Sequence, residues 1–424
     1  MTIDQVKESY KSQISEKTSE QEKLKQQIFR IGTLRLVIVL AYILCCYIGW
    51  GNVSLLLILG GVSLAFFLFL LKYHNSLFLK KRYAELSILN AGNELKGLDY
   101  DFSAFDGAPE KADADHSYSV DLDLFGERSF FQSVNRTVTT FGRDKLSGIF
   151  LFPFENKDVI ENQQSAIKEL SSKFQYLSHI RAKGQMVDSP DLDVESFVGQ
   201  FKEVDFLSKG SWRYSYYIAP VLFIVVALLA IFDIIPISLL GLCWTILFML
   251  SLLPMKNIRN KINLFEKKID ILQTYSRLFK LIENENLEAP LLKKIQSQLK
   301  TGQSASASIL ELKKYSDNLD QSSNVLGLLI LNPVLFWNVI YTVKIEKWID
   351  RNEAHVNSWF AALAEFDSLV SLSIFTYNHP EYIYPKVSET MKMIGTDLGH
   401  PMINRDKCVC NNVDIPKDPF FLVV

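Results

Sequence analysis

The chain has 424 residues, enough for two or three domains, and a formal net charge of −2, so no overall positive field points to nucleic acid as a partner. Hydrophobic residues make up 48% of the chain and the mean hydropathy is +0.10. This mixture favours a few membrane spans beside sizeable soluble parts and disfavours both a wholly soluble protein and a transporter.

The first 35 residues predict an amphipathic helix in the cytoplasm. Apolar side chains recur there at roughly helical intervals: Ile3, Val6, Tyr10, Ile14, Leu24 and Ile28. They thin out between Lys17 and Lys23, which favours a solvated helix leading into a membrane over a coiled coil. The stretch lacks the short basic region of a cleavable signal peptide.

Two pairs of chargeless apolar runs predict two transmembrane helical hairpins. The first, within residues 36–72, comprises Leu36–Trp50 and Val53–Leu71. The second, within residues 214–254, comprises Tyr214–Phe232 and Pro236–Leu253. A helix needs about 20 apolar residues to cross the hydrocarbon core, with about 17 as the lower limit. The first run is short, but Thr33, Leu34 and a snorkelling Arg35 can extend it, and the other three runs have 18 or 19 residues. The lipid bilayer is therefore the first predicted partner.

Basic residues flank both hairpins on one side and are absent from the connecting loops: Arg30, Arg35, Lys72, Lys80, Lys81, Arg82, Lys202, Lys209, Arg213, Lys256, Arg259 and Lys261. The positive-inside rule then places both termini and every soluble segment in the cytoplasm, as in a multi-pass protein of the inner (cytoplasmic) membrane. No Asp, Glu, Lys, Arg or His lies within the four runs. Transport pathways usually need one, so we interpret the hairpins as anchors.

Between the hairpins, the sequence predicts a helix and an acidic linker (residues 73–120) followed by a helical domain (residues 121–213). The first helix covers Tyr73–Lys96, and Gly97–Ser119 is the linker. Ser129 is a suitable N-cap for a short helix, and Thr139 or Thr140 caps a second helix that Pro153 stops. The spacing then predicts one long helix from Asn156 to Ala182 and a short one over Val194–Ser208.

Beyond the second hairpin, residues 255–375 predict further helices. These are Lys256–Glu285, Leu291–Leu299, Ser306–Asp320 and a long helix from Pro333 through Phe366. The basic start of the first could contact DNA phosphates, but a site so close to a membrane span favours anionic lipid headgroups. Val325–Trp348 is apolar enough for a fifth span, but Asn332-Pro333 leaves halves too short to cross.

Three stretches carry a resemblance to a known family. The first has Phe130-Phe131, then Asn135-Arg136-Thr137-Val138-Thr139, then Phe141-Gly142-Arg143. The second, Ala361–Val387, is a Leu-rich helix with Glu365, Asp367 and Ser371, followed by an Asn-, Tyr- and Pro-rich segment expected to be a strand. The third, Asp397–Val413, contains Gly399-His400-Pro401-Met402 and later Val409, Asn411 and Asn412. In this order they resemble the core (lever) domain of the MutS family of DNA mismatch repair ATPases.

Together with the two membrane hairpins predicted from the apolar runs, the resemblance implies a mainly α fold with a MutS-like helical core and a few β-strands from the edge of an incomplete ATPase domain in residues 376–424. Full-length members bind ATP, Mg²⁺ and DNA and act as dimers. By the resemblance, Cys408, Val409 and Asn411 would lie beside the adenine of a bound nucleotide. Phe420–Val424 would be the strand that leads into the phosphate-binding loop, G-x-x-x-x-G-K-S/T.

No such loop occurs in these 424 residues, and a membrane hairpin stands where the family has its mismatch-reading domain. We therefore expect a chain cut just before that loop, with no catalytic residues, no tightly bound cofactor and no ATP hydrolysis. A homodimer and DNA remain implied partners, and no small-molecule substrate is indicated. The competing hypothesis is a non-enzymatic membrane scaffold whose lever domain binds proteins.

The cysteines indicate neither a disulfide framework nor a metal site. Their number is odd, and Cys45, Cys46 and Cys243 lie inside apolar runs, which fits a reducing compartment. Cys408 and Cys410 lie near His400, but such a set lacks a fourth ligand and the usual spacing. We therefore predict no metal.

Overall fold

The computed structural model describes residues 1–186, 214–321, 327–388 and 392–415 and is mainly helical, as the sequence predicts. The chain divides into two compact units. Unit 1 comprises residues 1–138, 146–186 and 368–424, and unit 2 comprises residues 139–145 and 187–367. The predicted helix over Val194–Ser208 and the predicted strand at Phe420–Val424 lie outside the described residues.

Two long helices of unit 1, α1 (Ile3–Ile48) and α2 (Val53–Leu98), lie against each other. Each has 46 residues, about 69 Å at 1.5 Å per residue. The predicted amphipathic helix and the first apolar run are therefore one unbroken helix, and the helix of the second apolar run continues past that run to Leu98, close to the predicted end at Lys96. Thr2 and Gln5 form a capping box at the start of α1, and Asn52 caps α2.

Three helices of the described chain are long and apolar enough to cross a membrane: α1, α2 and a third, Trp337–Asn378. The most apolar 18-residue window is 0% buried in α1 and 6% buried in α2, but 67% buried in the third helix. The windows of α1 and α2 thus expose large apolar side chains. In the third helix, most of the window is buried within the protein.

The segment predicted as an acidic linker, Gly97–Ser119, is packed in unit 1, so this prediction was wrong. Phe105 and Ala108 are buried, and the Gln132 side-chain amide donates to the Phe105 carbonyl at 2.9 Å. A short 3-10 helix covers Pro109–Lys111. The linker prediction relied on Gly, Pro and Asp content, which also describes a tightly turned segment that packs through a few apolar residues.

Four further helices of unit 1 are α3 (Phe130–Val134), α4 (Thr140–Leu151, whose first residues belong to unit 2), α5 (Lys157–Ser171) and α6 (Phe174–Gln185). Ser129 caps α3 by accepting from the Gln132 N–H at 3.1 Å, as predicted. The single helix predicted from Asn156 to Ala182 is wrong, because the chain breaks between α5 and α6. The last turn of α5 closes with bonds to carbonyls three residues back: the Ser172 and Lys173 N–H groups donate to the Glu169 and Leu170 carbonyls at 3.2 and 2.9 Å.

Unit 2 contains the second apolar hairpin, α7 (Ser215–Ile231) and α8 (Ile237–Leu252), within the predicted bounds. Three helices follow close to their predicted positions: α9 (Met255–Asn284), α10 (Pro290–Leu299) and α11 (Ala305–Gln321). The basic side chains between Lys256 and Lys268 lie outside the described part of α9. In the core, Phe141 packs against Tyr275 and Phe360, with ring centroids 6.0 and 5.0 Å away.

The segment around Pro333 differs from the prediction. A π-helical turn covers Gly327–Leu331, and Pro333 lies in the first turn of a separate short helix, α12 (Asn332–Leu335). Phe336 then adopts a left-handed conformation with φ of 52°, so the long helix begins one residue later as α13 (Trp337–Asn378). It continues well past the predicted end at Phe366.

Two short strands follow α13, β1 (Met393–Leu398) and β2 (Asn411–Ile415). They pair antiparallel with Met393 opposite Ile415, and a register shift follows Gly395. A small amount of β-structure near the C-terminus was predicted. The Asn-, Tyr- and Pro-rich segment expected to be a strand is not one, because its described part after Asn378 contains only turns and irregular backbone.

Candidate functional site

In unit 1 the first and second family-like stretches are joined by hydrogen bonds between buried groups. The backbone N–H of Arg136 donates to Ser371 Oγ at 2.7 Å, and the Ser371 hydroxyl donates to the Val134 carbonyl at 2.8 Å. Ser371 is fully buried, in the last two turns of α13. One hydroxyl thereby satisfies two backbone groups of the irregular segment after α3, which could not otherwise be buried at low cost.

A buried cluster of charged and polar side chains, here called the Glu94 joint, lies beside this contact. It comprises Tyr10 of α1, Glu94 of α2, Arg136, Arg181 of α6 and Asn378 at the end of α13. Glu94 Oε1 accepts from Arg136 Nε at 2.7 Å and from Arg181 Nη1. Glu94 Oε2 accepts from Asn378 Nδ2 at 2.8 Å, and the Tyr10 hydroxyl donates to Asn378 Oδ1 at 2.8 Å.

The electrostatics of the Glu94 joint keep its carboxylate ionised. Burial alone would raise the pKa of Glu94, but the Arg136 and Arg181 guanidinium groups outweigh it, and the pKa lies below its usual range. Two cations face one anion, and the Arg136 guanidinium also lies 3.3 Å from the centroid of the Phe105 ring. Such a pair holds neighbouring segments in one geometry, because removing either partner leaves a buried charge unpaired.

A small cavity of about 20 Å³ adjoins the joint. Its lining includes Tyr10, Ser87, Asn90, Glu94 and Arg181. The Asn90 amide and Arg181 Nε have no hydrogen-bond partner among the described residues. This volume suits about one water molecule bridging those groups, whereas small-molecule sites occupy roughly 300–1,000 Å³. The joint is therefore suited to positioning helices rather than to holding a nucleotide.

The third family-like stretch reaches the end of α13 through Arg405. Arg405 Nη2 donates to the Asn378 carbonyl at 3.2 Å and to His379 Nδ1 at 2.8 Å. Its Nε lies 2.7 Å from a Glu381 carboxylate oxygen, and its backbone N–H donates to the Tyr100 hydroxyl at 3.1 Å. Burial, followed by the nearby Arg405 and Arg136 charges, lowers the pKa of His379 to about 3. Neutral His379 is therefore the acceptor that this arginine requires.

In unit 2, Thr139, Gly142 and Asp367 of the family-like stretches form the N-terminal cap of α4. Asp367 Oδ2 accepts from the Thr139 N–H at 2.9 Å and from its hydroxyl at 2.7 Å, and Thr139 Oγ1 accepts from the Gly142 N–H at 2.9 Å. Thr139 thus caps α4, as predicted. A Cβ at Gly142 would lie 2.2 Å from Asp367 Oδ2, so the carboxylate can approach the helix only at glycine. Lys145 and Glu365 add an ion pair at 2.7 Å.

The predicted nucleotide-binding residues Cys408, Val409 and Asn411 lie on exposed chain between and at the start of the short strands. Val409 is 80% exposed and Asn411 is also exposed, whereas Cys408 is half-buried. The sulfurs of Cys408 and Cys410 instead flank Gly399. Nothing tests their role toward adenine, which stays a prediction. Among the described residues, no three His, Cys, Asp or Glu side chains are grouped so that they could hold a metal, and all five cysteines are free.

Sequence reasoning missed Glu94, Arg181, Asn378 and Arg405. The sequence did contain a signal for the burial of Arg181. This residue lies next to Ile180 and four residues after Leu177, which are both on the buried face of α6. A charged residue placed on the apolar face of a helix must find a buried partner. The identity of that partner could not be read from sequence, because Glu94 lies in a different helix far along the chain.

Comparison of the chain with protein-family models, with curated proteins and with solved structures found no match.

Proposed function

We propose that this chain is the anchor and lever part of a membrane-bound MutS-like protein. The observation that carries the proposal is that the three family-like stretches, far apart in sequence, meet through named hydrogen bonds. Within unit 1, Arg136 reaches Ser371, and Arg405 reaches Asn378 and His379. Stretches that bond to one another across the sequence fit a lever joint, since a lever transmits motion only if its ends are held in a fixed geometry.

Membrane anchoring by both hairpins is part of the proposal. The apolar window of α1 is entirely unburied, and side chains such as Trp50 and Leu57 are 85% and 70% exposed. On the second hairpin, Ile237 is 78% exposed. Apolar surface of this extent is unfavourable in water and favourable in lipid. The flanking basic residues then orient the soluble units toward the cytoplasm of an inner membrane.

In the proposed function, the Glu94 joint fixes the end of α13. In the family, nucleotide chemistry takes place in the domain that carries the phosphate-binding loop. ATP and Mg²⁺ are the family's cofactors, and DNA is its partner. These 424 residues contain no such loop, so we expect this polypeptide to show no ATP turnover in a phosphate-release assay. Measurable turnover by the purified chain would contradict this reading.

DNA binding is the test of the proposal. The chain is reconstituted in neutral phosphatidylcholine nanodiscs and titrated with a fluorescent 30-base-pair duplex between 50 and 200 mM KCl. We expect binding that weakens steeply with salt, because each phosphate contact contributes about one unit to the log–log salt slope. By the same proposal, a mismatch in the duplex should not change the affinity, because these residues have a membrane hairpin where the family has its mismatch-reading domain.

A matched pair of variants sharpens this test. Replacing Lys256, Arg259 and Lys261 by glutamine should reduce the salt slope by up to about three units if these residues contact phosphates. Replacing Lys23 and Lys25, which are exposed on α1, provides the control and should leave the slope unchanged. Absence of binding at 50 mM KCl would refute a DNA-binding role.

That last outcome would favour the second candidate, a non-enzymatic membrane scaffold that binds proteins through its lever domain. The exposure of Val409 and the single-water size of the cavity at the Glu94 joint favour it, because neither resembles a ligand site. A homodimer is compatible with both candidates, and light scattering of the nanodisc preparation measures it directly.

A further inference from the structure

A chargeless stretch of unit 2, Gly327–Val343, lies against the second apolar hairpin. It contains no Asp, Glu, Lys, Arg or His. Its described backbone is broken into a π-helical turn, the short helix α12 and the start of α13. An apolar run of this kind is too interrupted to cross a bilayer but has the composition of a segment in contact with lipid.

Side chains from the stretch form one apolar cluster with both helices of the hairpin. Phe336, Val339 and Val343 pack with Ala219 of α7 and Leu247 of α8, and all five are buried. Helix α12 also lies directly beside both α7 and α8. The partly buried side chains that complete this cluster are Tyr216, Phe223 and Cys243.

The position of these contacts sets their depth. Ala219 is four residues from the start of α7, about 6 Å along the helix axis, and Leu247 is five residues before the end of α8, about 8 Å. Phe223 and Cys243 lie further along each helix in the same direction. If α7 and α8 cross the bilayer, the cluster lies inside the hydrocarbon near the membrane surface at which α7 begins and α8 ends.

The polar groups at the irregular part of the stretch, around Asn332 and Phe336, are satisfied within the protein, as such a depth demands. Asn332 is 1% exposed, and its Oδ1 accepts from the Asn338 N–H at 3.2 Å. Its carbonyl accepts from the Phe336 N–H at 2.9 Å, which closes the chain around the left-handed residue. Trp337 Nε1 donates to the Asn318 carbonyl at 2.6 Å. Irregular backbone is tolerated at membrane depth only when its groups are paired in this way.

We infer that Gly327–Phe336 is a re-entrant segment that enters the cytoplasmic leaflet beside the second hairpin and contacts lipid acyl chains. Its outer side chains are apolar: Leu329 is exposed, and Leu328, Leu331, Val334 and Leu335 are half-buried. The lipid-exposed surface of α7 and α8 continues onto them through the shared cluster. The inference rests on the proposed membrane crossing of that hairpin.

Site-directed spin labelling tests the inference in the full chain. All five cysteines are replaced by alanine, one cysteine is introduced, and the labelled protein is reconstituted in liposomes. Oxygen concentrates in the hydrocarbon and a nickel chelate stays in water, so the ratio of their collision rates with the label reports depth. The test variants are Leu329→Cys and Val334→Cys. The controls are Leu222→Cys on α7 and Leu310→Cys on α11, which are equally exposed at 46%.

We expect the oxygen-to-nickel ratio at positions 329 and 334 to match that at position 222 and to exceed that at position 310 several-fold. Ratios at 329 and 334 equal to the ratio at 310, with 222 lipid-like, would overturn the re-entrant segment and leave the hairpin anchor standing. A water-like ratio at 222 would overturn both. Two positions are tested so that the result does not depend on a single spin label, which could disturb the fold locally.

Discussion

The substitution Glu94→Gln is the most direct probe of the buried joint in unit 1. The side chain is 1% exposed and accepts from Arg136, Arg181 and Asn378. Glutamine has nearly the same shape but no charge, and its NH₂ group would face a guanidinium or the Asn378 amide. Two buried cations would then lack a counter-ion. Breaking a buried pair in this way costs about 3–5 kcal/mol.

Hydrogen–deuterium exchange measures this loss locally, which suits a chain with long exposed apolar helices, since such a chain is difficult to unfold reversibly as a whole. At 1.36 kcal/mol per factor of ten, the amides of Ser371–Asn378 should exchange roughly a hundred- to several-thousand-fold faster in the variant. The control is Glu85→Gln on the same helix. Glu85 forms a half-exposed i,i+4 ion pair with Lys81 at 3.4 Å, which is worth about 0.3–0.5 kcal/mol. Equal exchange in the two variants would refute the assigned role of the joint.

The other buried contacts, at His379, Gly142 and Arg405, give three further predictions. Because the pKa of His379 is about 3 when folded and about 6.5 when unfolded, the unfolded state binds more protons between these values. Thermal stability should therefore fall by up to about 1.4 kcal/mol per pH unit below pH 6.5, and His379→Gln should flatten this dependence in melting curves. Gly142→Ala should lower the melting temperature by forcing a buried carboxylate aside, at a cost of about 1–3 kcal/mol, whereas Gly148→Ala on the same helix has open space and should be neutral or stabilising. Arg405→Ala should speed proteinase K cleavage within residues 392–415, and Lys407→Ala should not; equal cleavage would show that Arg405 does not hold this segment.

The helices and apolar hairpins could be predicted from sequence because their signals are local. The signals lie within the segment that they describe: unbroken apolar runs of 15–19 residues, the Ser129 cap, and Pro and Gly residues at the ends of helices. The break between α5 and α6 escaped prediction because the apolar spacing continues across it, and no Pro or Gly lies near the end of α5. Helix α1 also exceeded its predicted segments, since a change from amphipathic to apolar composition does not by itself end a helix.

The candidate site could not be predicted in the same way. Arg136 was singled out as part of a motif, but the residues that give it a role lie 42 positions away, at Glu94, and 235 positions away, at Ser371. A buried ion pair is selected by tertiary proximity, and sequence spacing carries no information about that. The linker prediction failed for a related reason, because Phe105 packs against the Arg136 guanidinium rather than against a periodic neighbour.

The contacts of α13 differ in kind along its length, and this difference bears on the lever proposal. In unit 2, Val339 and Val343 contribute to an apolar cluster, where attraction is non-directional and tolerates small shifts. In unit 1, Ser371 and Asn378 make hydrogen bonds that weaken steeply with angle and distance. Within unit 1, these directional bonds hold the Asn378 end of α13 in one rotational position, which is the fixed geometry that the proposed lever requires at that end.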